Sequence, residues 1–130
     1  MIRQLLLPVL FLAASASGAG AAPGMRSLPQ AMHGTWGYSA EACVNEADDG
    51  RAQVEPRAVT FFASYCSLNR FRKNRDGSVT GSGRCRGEGE TTSERGSVRL
   101  RLEGRDRLII ALNGGDDSTY QRCARPLPVR

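Results

Sequence analysis

Few residues in this chain have both the type and the spacing to do chemistry. His33 is the only histidine, and no serine sits in a Gly-x-Ser-x-Gly setting, so a base-activated nucleophile has no visible partner set. Glu88-Gly89-Glu90 puts two carboxylates on one side of an extended segment, as a glycosidase pair would need. The glycines at 87 and 89 read more simply as a turn carrying two solvated carboxylates. Asn45 to Gly50, with Glu46, Asp48 and Asp49, has the composition of a calcium loop. Placing Gly50 at the invariant glycine of such a loop leaves Ala47 and Pro56 at ligand positions, where neither can bind. A polar turn is therefore expected, with no metal and no cofactor, and the chain reads as a non-enzyme.

The four cysteines, Cys43, Cys66, Cys85 and Cys123, form no Cys-x-x-Cys pair and have one histidine between them, which disfavours zinc. An even count behind an export signal reads as two disulfides formed in an oxidising compartment. Cys66 and Cys85 can face each other across a hairpin, while Cys43–Cys66 with Cys85–Cys123 is equally compatible with the spacing.

The export signal is the first 22 residues. Met1-Ile2-Arg3-Gln4 is a short positive start, Leu5 to Ala16 is apolar, and small residues follow, with cleavage options after Ala16, Ala21 and Ala22. The apolar run is too short for a membrane span. Residues 23–130 then form one domain, of which about a third is apolar, a thin core that needs crosslinks. The whole chain of 130 residues carries a formal net charge of +5. These features exclude a multidomain enzyme, an integral membrane protein and a cytosolic protein; the product is expected to be exported, periplasmic or secreted, and monomeric.

The elements that position these residues are strands. After a Pro/Gly-rich lead over 23–33, where Ser27 and Gln30 fit a capping box for one helical turn, helix signals vanish. Turn residues punctuate the chain about every ten positions. Strands are predicted near 35–39, 52–55, 58–65, 67–73, 78–87, 93–102, 107–112 and 118–123. Val98 to Leu102 alternates cleanly, whereas Leu108 to Leu112 is apolar on both faces. Arg75-Asp76-Gly77, Glu103 to Asp106 and Asn113 to Asp116 are hairpin turns. The fold class is all-β: a small antiparallel up-and-down barrel of about eight strands, with a two-sheet sandwich as the alternative.

Cations are in excess between Arg70 and Arg107, carboxylates between Glu41 and Glu55. Such a dipolar surface suits an acidic partner or an anionic envelope polymer. Nucleic acid is excluded as a partner, because no aromatic platform interleaves the arginines and export removes it. Pairing Lys73 with Ser78 sets Cys66 opposite Cys85, Leu68 opposite Gly83, Arg70 opposite Gly81 and Arg72 opposite Val79. Arg70 and Arg72 would then share a glycine-lined side and form an anion or ligand pocket at the barrel mouth. A bulge would shift the register by one, turning Phe71 inward and both arginines into solvent.

Gly34-Thr35-Trp36 opens the first strand and Tyr120-Gln121-Arg122 lies on the last. This resembles the signature of lipocalin-like (calycin) barrels, in which a Gly-x-Trp on the first strand packs under a late Arg or Lys and a short N-terminal helix closes the base. The resemblance implies that Gly34, Trp36 and Arg122 are structural. Small exported, disulfide-bonded barrels that inhibit proteases or lysozyme in the bacterial envelope resemble this plan too. The expected function is that of an exported binding protein, an inhibitor or protein partner in the envelope, with small-ligand or anion carriage as the alternative.

Overall fold

The computed structural model describes residues 24–124, so the expected leader, residues 1–22, lies outside them. Alternation builds the wall. In β6 (Glu94–Glu103), Val98 and Leu100 point inward and are buried while Arg99 between them is exposed. The other strands are β1 (Gly34–Gly37), β2 (Arg51–Glu55), β3 (Ala58–Phe61), β4 (Ser64–Lys73), β5 (Val79–Gly87), β7 (Arg107–Leu112) and β8 (Ser118–Arg122). They pair antiparallel in chain order and close β1 onto β8. This is the expected eight-stranded barrel, not a sandwich, and the architecture is consistent with a calycin-like barrel.

The hairpin turns follow the chemistry of their residues. Asn113 and Gly114 both take positive φ, at 52° and 70°, as the centre of a turn that Gly115 N–H closes on the Leu112 carbonyl at 2.9 Å, at the start of the five-residue β7–β8 connection. Asn74 to Ser78 is held by side chains: Asp76 accepts from both the backbone and the hydroxyl of buried Ser78. Those two hydrogen bonds hold the Asp76 carboxyl below its ordinary range.

Three local expectations are corrected. The capping box does not form: a 3-10 turn, Gln30–Met32, starts with Pro29, not Ser27, at its N-cap position and has no side-chain cap, while Leu28 N–H pins the lead segment to the Pro56 carbonyl at 2.7 Å. A short helix, α1 (Ala40–Val44), follows β1, with the Ser39 side chain accepting from Ala42 N–H. The break between β3 and β4 falls at Phe62-Ala63, not at Cys66. No glycine or proline marks that turn, and it reverses the inside–outside parity on entering β4. Val59 is therefore buried inside, while Tyr65 is exposed.

The interior is filled from the base upward. Leu28 and Met32 from the N-terminal segment plug the lower end beneath Trp36, which has no exposed surface. Both disulfides form: Cys66–Cys85 spans β4 and β5 within the wall, and Cys43–Cys123 ties α1 to the end of β8. Strands β1 and β8 pair only through Trp36↔Arg122 and Gly37↔Gln121, so the seam is the shortest in the barrel. Residues 80 apart in sequence close a long loop when joined, and Cys43–Cys123 reinforces this seam.

The Arg122 guanidinium sits 4.2 Å from the Trp36 ring centroid. It also donates to the carbonyls of Ala31 (2.6 Å), His33 (3.2 Å) and Arg105 (3.0 Å). One side chain thus joins the last strand, the base plug and the β6–β7 hairpin. Gly34 belongs here as well: its φ of +124° is closed to side chains, and it lets the chain turn from the plug into β1.

Two outcomes are expected. Peptide mapping without reduction should recover Cys43–Cys123 and Cys66–Cys85, and the Cys43→Ser, Cys123→Ser double variant should lose about 2–5 kcal/mol in denaturant unfolding. Arg122→Ala should lose about 2–4 kcal/mol, since three carbonyls lose their charged donor and the indole its cover. Arg122→Lys should recover less than half of that loss, because an ammonium cannot reach the three carbonyls with one planar fork.

Candidate functional site

With the base sealed, the barrel is open at the other end, among the loops β1–β2, β3–β4 and β7–β8. There a cleft of about 610 Å³ is lined by Tyr38, Phe61, Phe62, Ile110, Leu112 and Tyr120. Asp49 and Asp116 stand at its edge. Tyr38 continues the inward parity of Trp36, and Tyr120 that of Arg122. The two rings therefore meet across the seam, stacked with centroids 4.5 Å apart and planes 18° apart. The Tyr120 hydroxyl is 3.3 Å from that of Tyr38.

Tyr120 is buried, and Tyr38 is half exposed. Burial, then the hydrogen bond with Tyr38 and the charge an ionised Tyr38 would carry, push the Tyr120 phenol well above its ordinary range. It remains a neutral hydrogen-bonding group at any physiological pH. Phe62, 52% exposed at the β3–β4 turn, stands above the cleft as an unpacked aromatic ring. Below the cleft the interior closes quickly. Val98, paired with Leu112 of the cleft, is wholly buried in one core with Val59, Leu100 and Trp36. The site is a cup at the mouth, not a tunnel through the barrel.

The residues singled out in the sequence fall elsewhere. His33 has Nε2 2.8 Å from the Leu28 carbonyl and offers its own carbonyl to Arg122, so it holds the base plug together. Glu90 turns back to accept from Gly87 N–H, capping its own turn, with Gly89 at positive φ. Asn45 and Asp48 each accept a backbone N–H two residues on, which is how short polar side chains fold a loop. Among the described residues, no group of three histidines, cysteines or carboxylates could hold a metal ion. The four cysteines are all in the two disulfides.

Arg70 and Arg72 do not form a pocket at the mouth. The register holds as far as Leu68↔Gly83 and then shifts at Asn69, so Arg70 faces Ser82, Phe71 faces Gly81 and Arg72 faces Thr80. Phe71 and Leu68 fill the space left by Gly81, and both arginines are exposed on the outer wall. The bulge has a steric requirement: a Cβ at Gly83 would lie 2.0 Å from the Ser67 carbonyl oxygen. Tyr38 and Phe62 are site residues that the sequence pattern does not single out. The one local signal at each is an aromatic next to a strand end with no alternation partner.

Comparison with models of protein families, with curated proteins and with solved structures found no match to this chain.

The buried phenol sets an expected titration. Ultraviolet absorbance should show one tyrosine ionising well above the ordinary value of about 10, and Tyr120→Phe should abolish that late component. The folded value is raised, so the associated stability is complete below about pH 10 and is lost as pH rises further. Tyr120→Phe should flatten that alkaline decline.

Proposed function

We propose that this protein is an exported, non-enzymatic binding protein that engages a partner protein of the cell envelope through the open end of the barrel, in the manner of an inhibitor. One observation carries the reading: half-exposed Tyr38 and Phe62 both line a cleft that lies over a packed core. Exposed aromatics on a fixed frame lose little conformational freedom on binding and bury large area, which is the profile of interface anchors. Tyr38 is held in place by its stack on Tyr120. The candidate catalytic groups support a non-enzymatic role, because His33 and Glu90 are engaged in the fold. Inhibitor-type barrels of the envelope resemble this plan, and two disulfides suit an oxidising compartment.

The cleft volume favours a second reading. About 610 Å³ lies within the range of small-molecule sites, and its lining mixes aromatic and aliphatic side chains with a few polar groups. Carriage of a small, largely apolar ligand would use the same cup with Phe62 as its lid.

The immobilised disulfide-bonded protein, exposed to envelope and secreted proteins of its source, should retain a discrete partner that Phe62→Asp retains about tenfold less. Equal retention by both forms, or none by either, would count against the protein-partner reading. An apolar fluorescent dye bound by the unmodified protein and lost in Phe62→Asp, with no protein retained, would move the assignment to ligand carriage.

A further inference from the structure

The outer wall of β4, β5 and β6 carries an array of arginines, of which Arg72 bonds Asn74 and Arg84 the Ser93 carbonyl, each through one nitrogen. Outward positions hold Arg70 and Arg72 on β4, Arg84 and Arg86 on β5, and Arg95 on β6, all exposed. Among the described residues none of these five lies within ion-pair distance of a carboxylate. By contrast, the neighbouring Arg99 pairs with Asp117, and Arg101 and Arg107 share Glu103. Among the described residues Arg26, Arg57, Arg75 and Arg105 make no ion pair either, so what sets the five apart is that they share one face of three adjacent strands.

Register makes the array a groove. Arg84 stands directly opposite Arg95, two like charges side by side in a pair that repulsion disfavours. The Asn69 bulge moves Arg70 opposite Ser82, one step down the wall. A trough of about 310 Å³ runs across the strands between these rows. Arg84 and Arg95 line its upper side and Arg70 its lower side, with Asn69, Gly83 and Gly96 also lining it. One Arg84 nitrogen donates to the Ser93 carbonyl, which anchors the side chain and leaves its other N–H groups outward.

We propose that this groove binds a linear polyanion other than nucleic acid, a polyphosphate chain or a sulfated glycan, whose tetrahedral oxyanion groups follow in close succession. Neighbouring strands are about 5 Å apart, and alternate residues along a strand are about 7 Å apart. Anionic groups at such intervals would meet Arg84 and Arg95 in the trough and then Arg86 or Arg72 beyond it. Guanidinium forks suit these oxyanions because they donate two parallel N–H bonds. Ser67, Ser82 and Ser97 separate the arginines, and the face offers a bilayer no apolar patch beyond Tyr65 at its upper edge. A polymer in water fits this surface better than a membrane. The groove is on the side wall, so a bound polymer leaves the cup at the mouth free.

Long-chain polyphosphate and dextran sulfate, each fluorescently labelled, should bind the purified disulfide-bonded protein at low salt and weaken steeply as salt rises. The Arg70→Gln, Arg84→Gln, Arg95→Gln triple variant should bind at least about tenfold more weakly. The Arg99→Gln, Arg101→Gln, Arg107→Gln triple, which sheds the same charge from paired arginines, should change affinity less than about threefold. Arg95→Glu alone should reproduce most of the loss, and circular dichroism should show each variant folded. Equal losses in the two triples would overturn the groove in favour of net charge. Binding to anionic phospholipid vesicles with none to either polymer would overturn it as well.

Discussion

The contact between Arg122 and Trp36 is the constraint on which the rest of the barrel depends. A closed meander has one seam that chain connectivity does not supply, between its first and last strands, and here that seam has two residue pairs. Hydrogen bonds across so short a ladder cannot hold the ends together against chain entropy. The guanidinium adds a stack on a wholly buried indole and three bonds to carbonyls of the plug and of a hairpin. Those carbonyls would otherwise be poorly satisfied at a helix end and a turn. The same contact that closes the ring therefore seals its base, and it leaves the other end as the place where the interior meets solvent.

From that asymmetry comes the division of the surface. The plug side is occupied by Leu28, Met32 and their hydrogen bonds, so nothing enters there. The mouth keeps Tyr38 and Phe62 in partial contact with water, at a cup whose floor is packed. On the wall, the inward positions of β4 to β6 are apolar or glycine and the outward ones largely arginine, serine and threonine. This is the reverse of a barrel that spans a membrane, whose outer band is apolar and whose lumen is polar. Among the described residues, no helix is long and apolar enough to cross a membrane either.

The two glycines opposite β4 show how a single inserted residue redistributes roles. Up to Leu68 the hairpin keeps the pairing expected from its turn, and Cys66 meets Cys85 as that pairing requires. Beyond Asn69 every side chain changes face. Phe71, not an arginine, takes the space inside Gly81, which improves a thin core and expels two charges into solvent. Burial of apolar area outweighed the simpler ladder, and the arginines consequently join Arg84 and Arg95 on the outside.

Much of the architecture was legible in residue order alone. Period-two alternation in Val98 to Leu102, turn chemistry at Asn113-Gly114 and the placement of Gly34, Trp36 and Arg122 at the two ends of the pattern are local signals, each with a local physical cause. They sufficed for about eight antiparallel strands with two disulfides and favoured a closed barrel, with a two-sheet sandwich left as the alternative. What required three dimensions was everything set by register and by contacts between distant segments: the Cys43–Cys123 bond, the bulge at Asn69, the unmarked turn at Phe62-Ala63, and the stack of Tyr38 on Tyr120. A one-residue slip changes no composition and no periodicity, yet it exchanges inside for outside along half a strand. Pattern therefore determined the strands and their antiparallel order, while pairing of β1 with β8 closed the barrel and packing decided which side chains face the cup, the groove and the core.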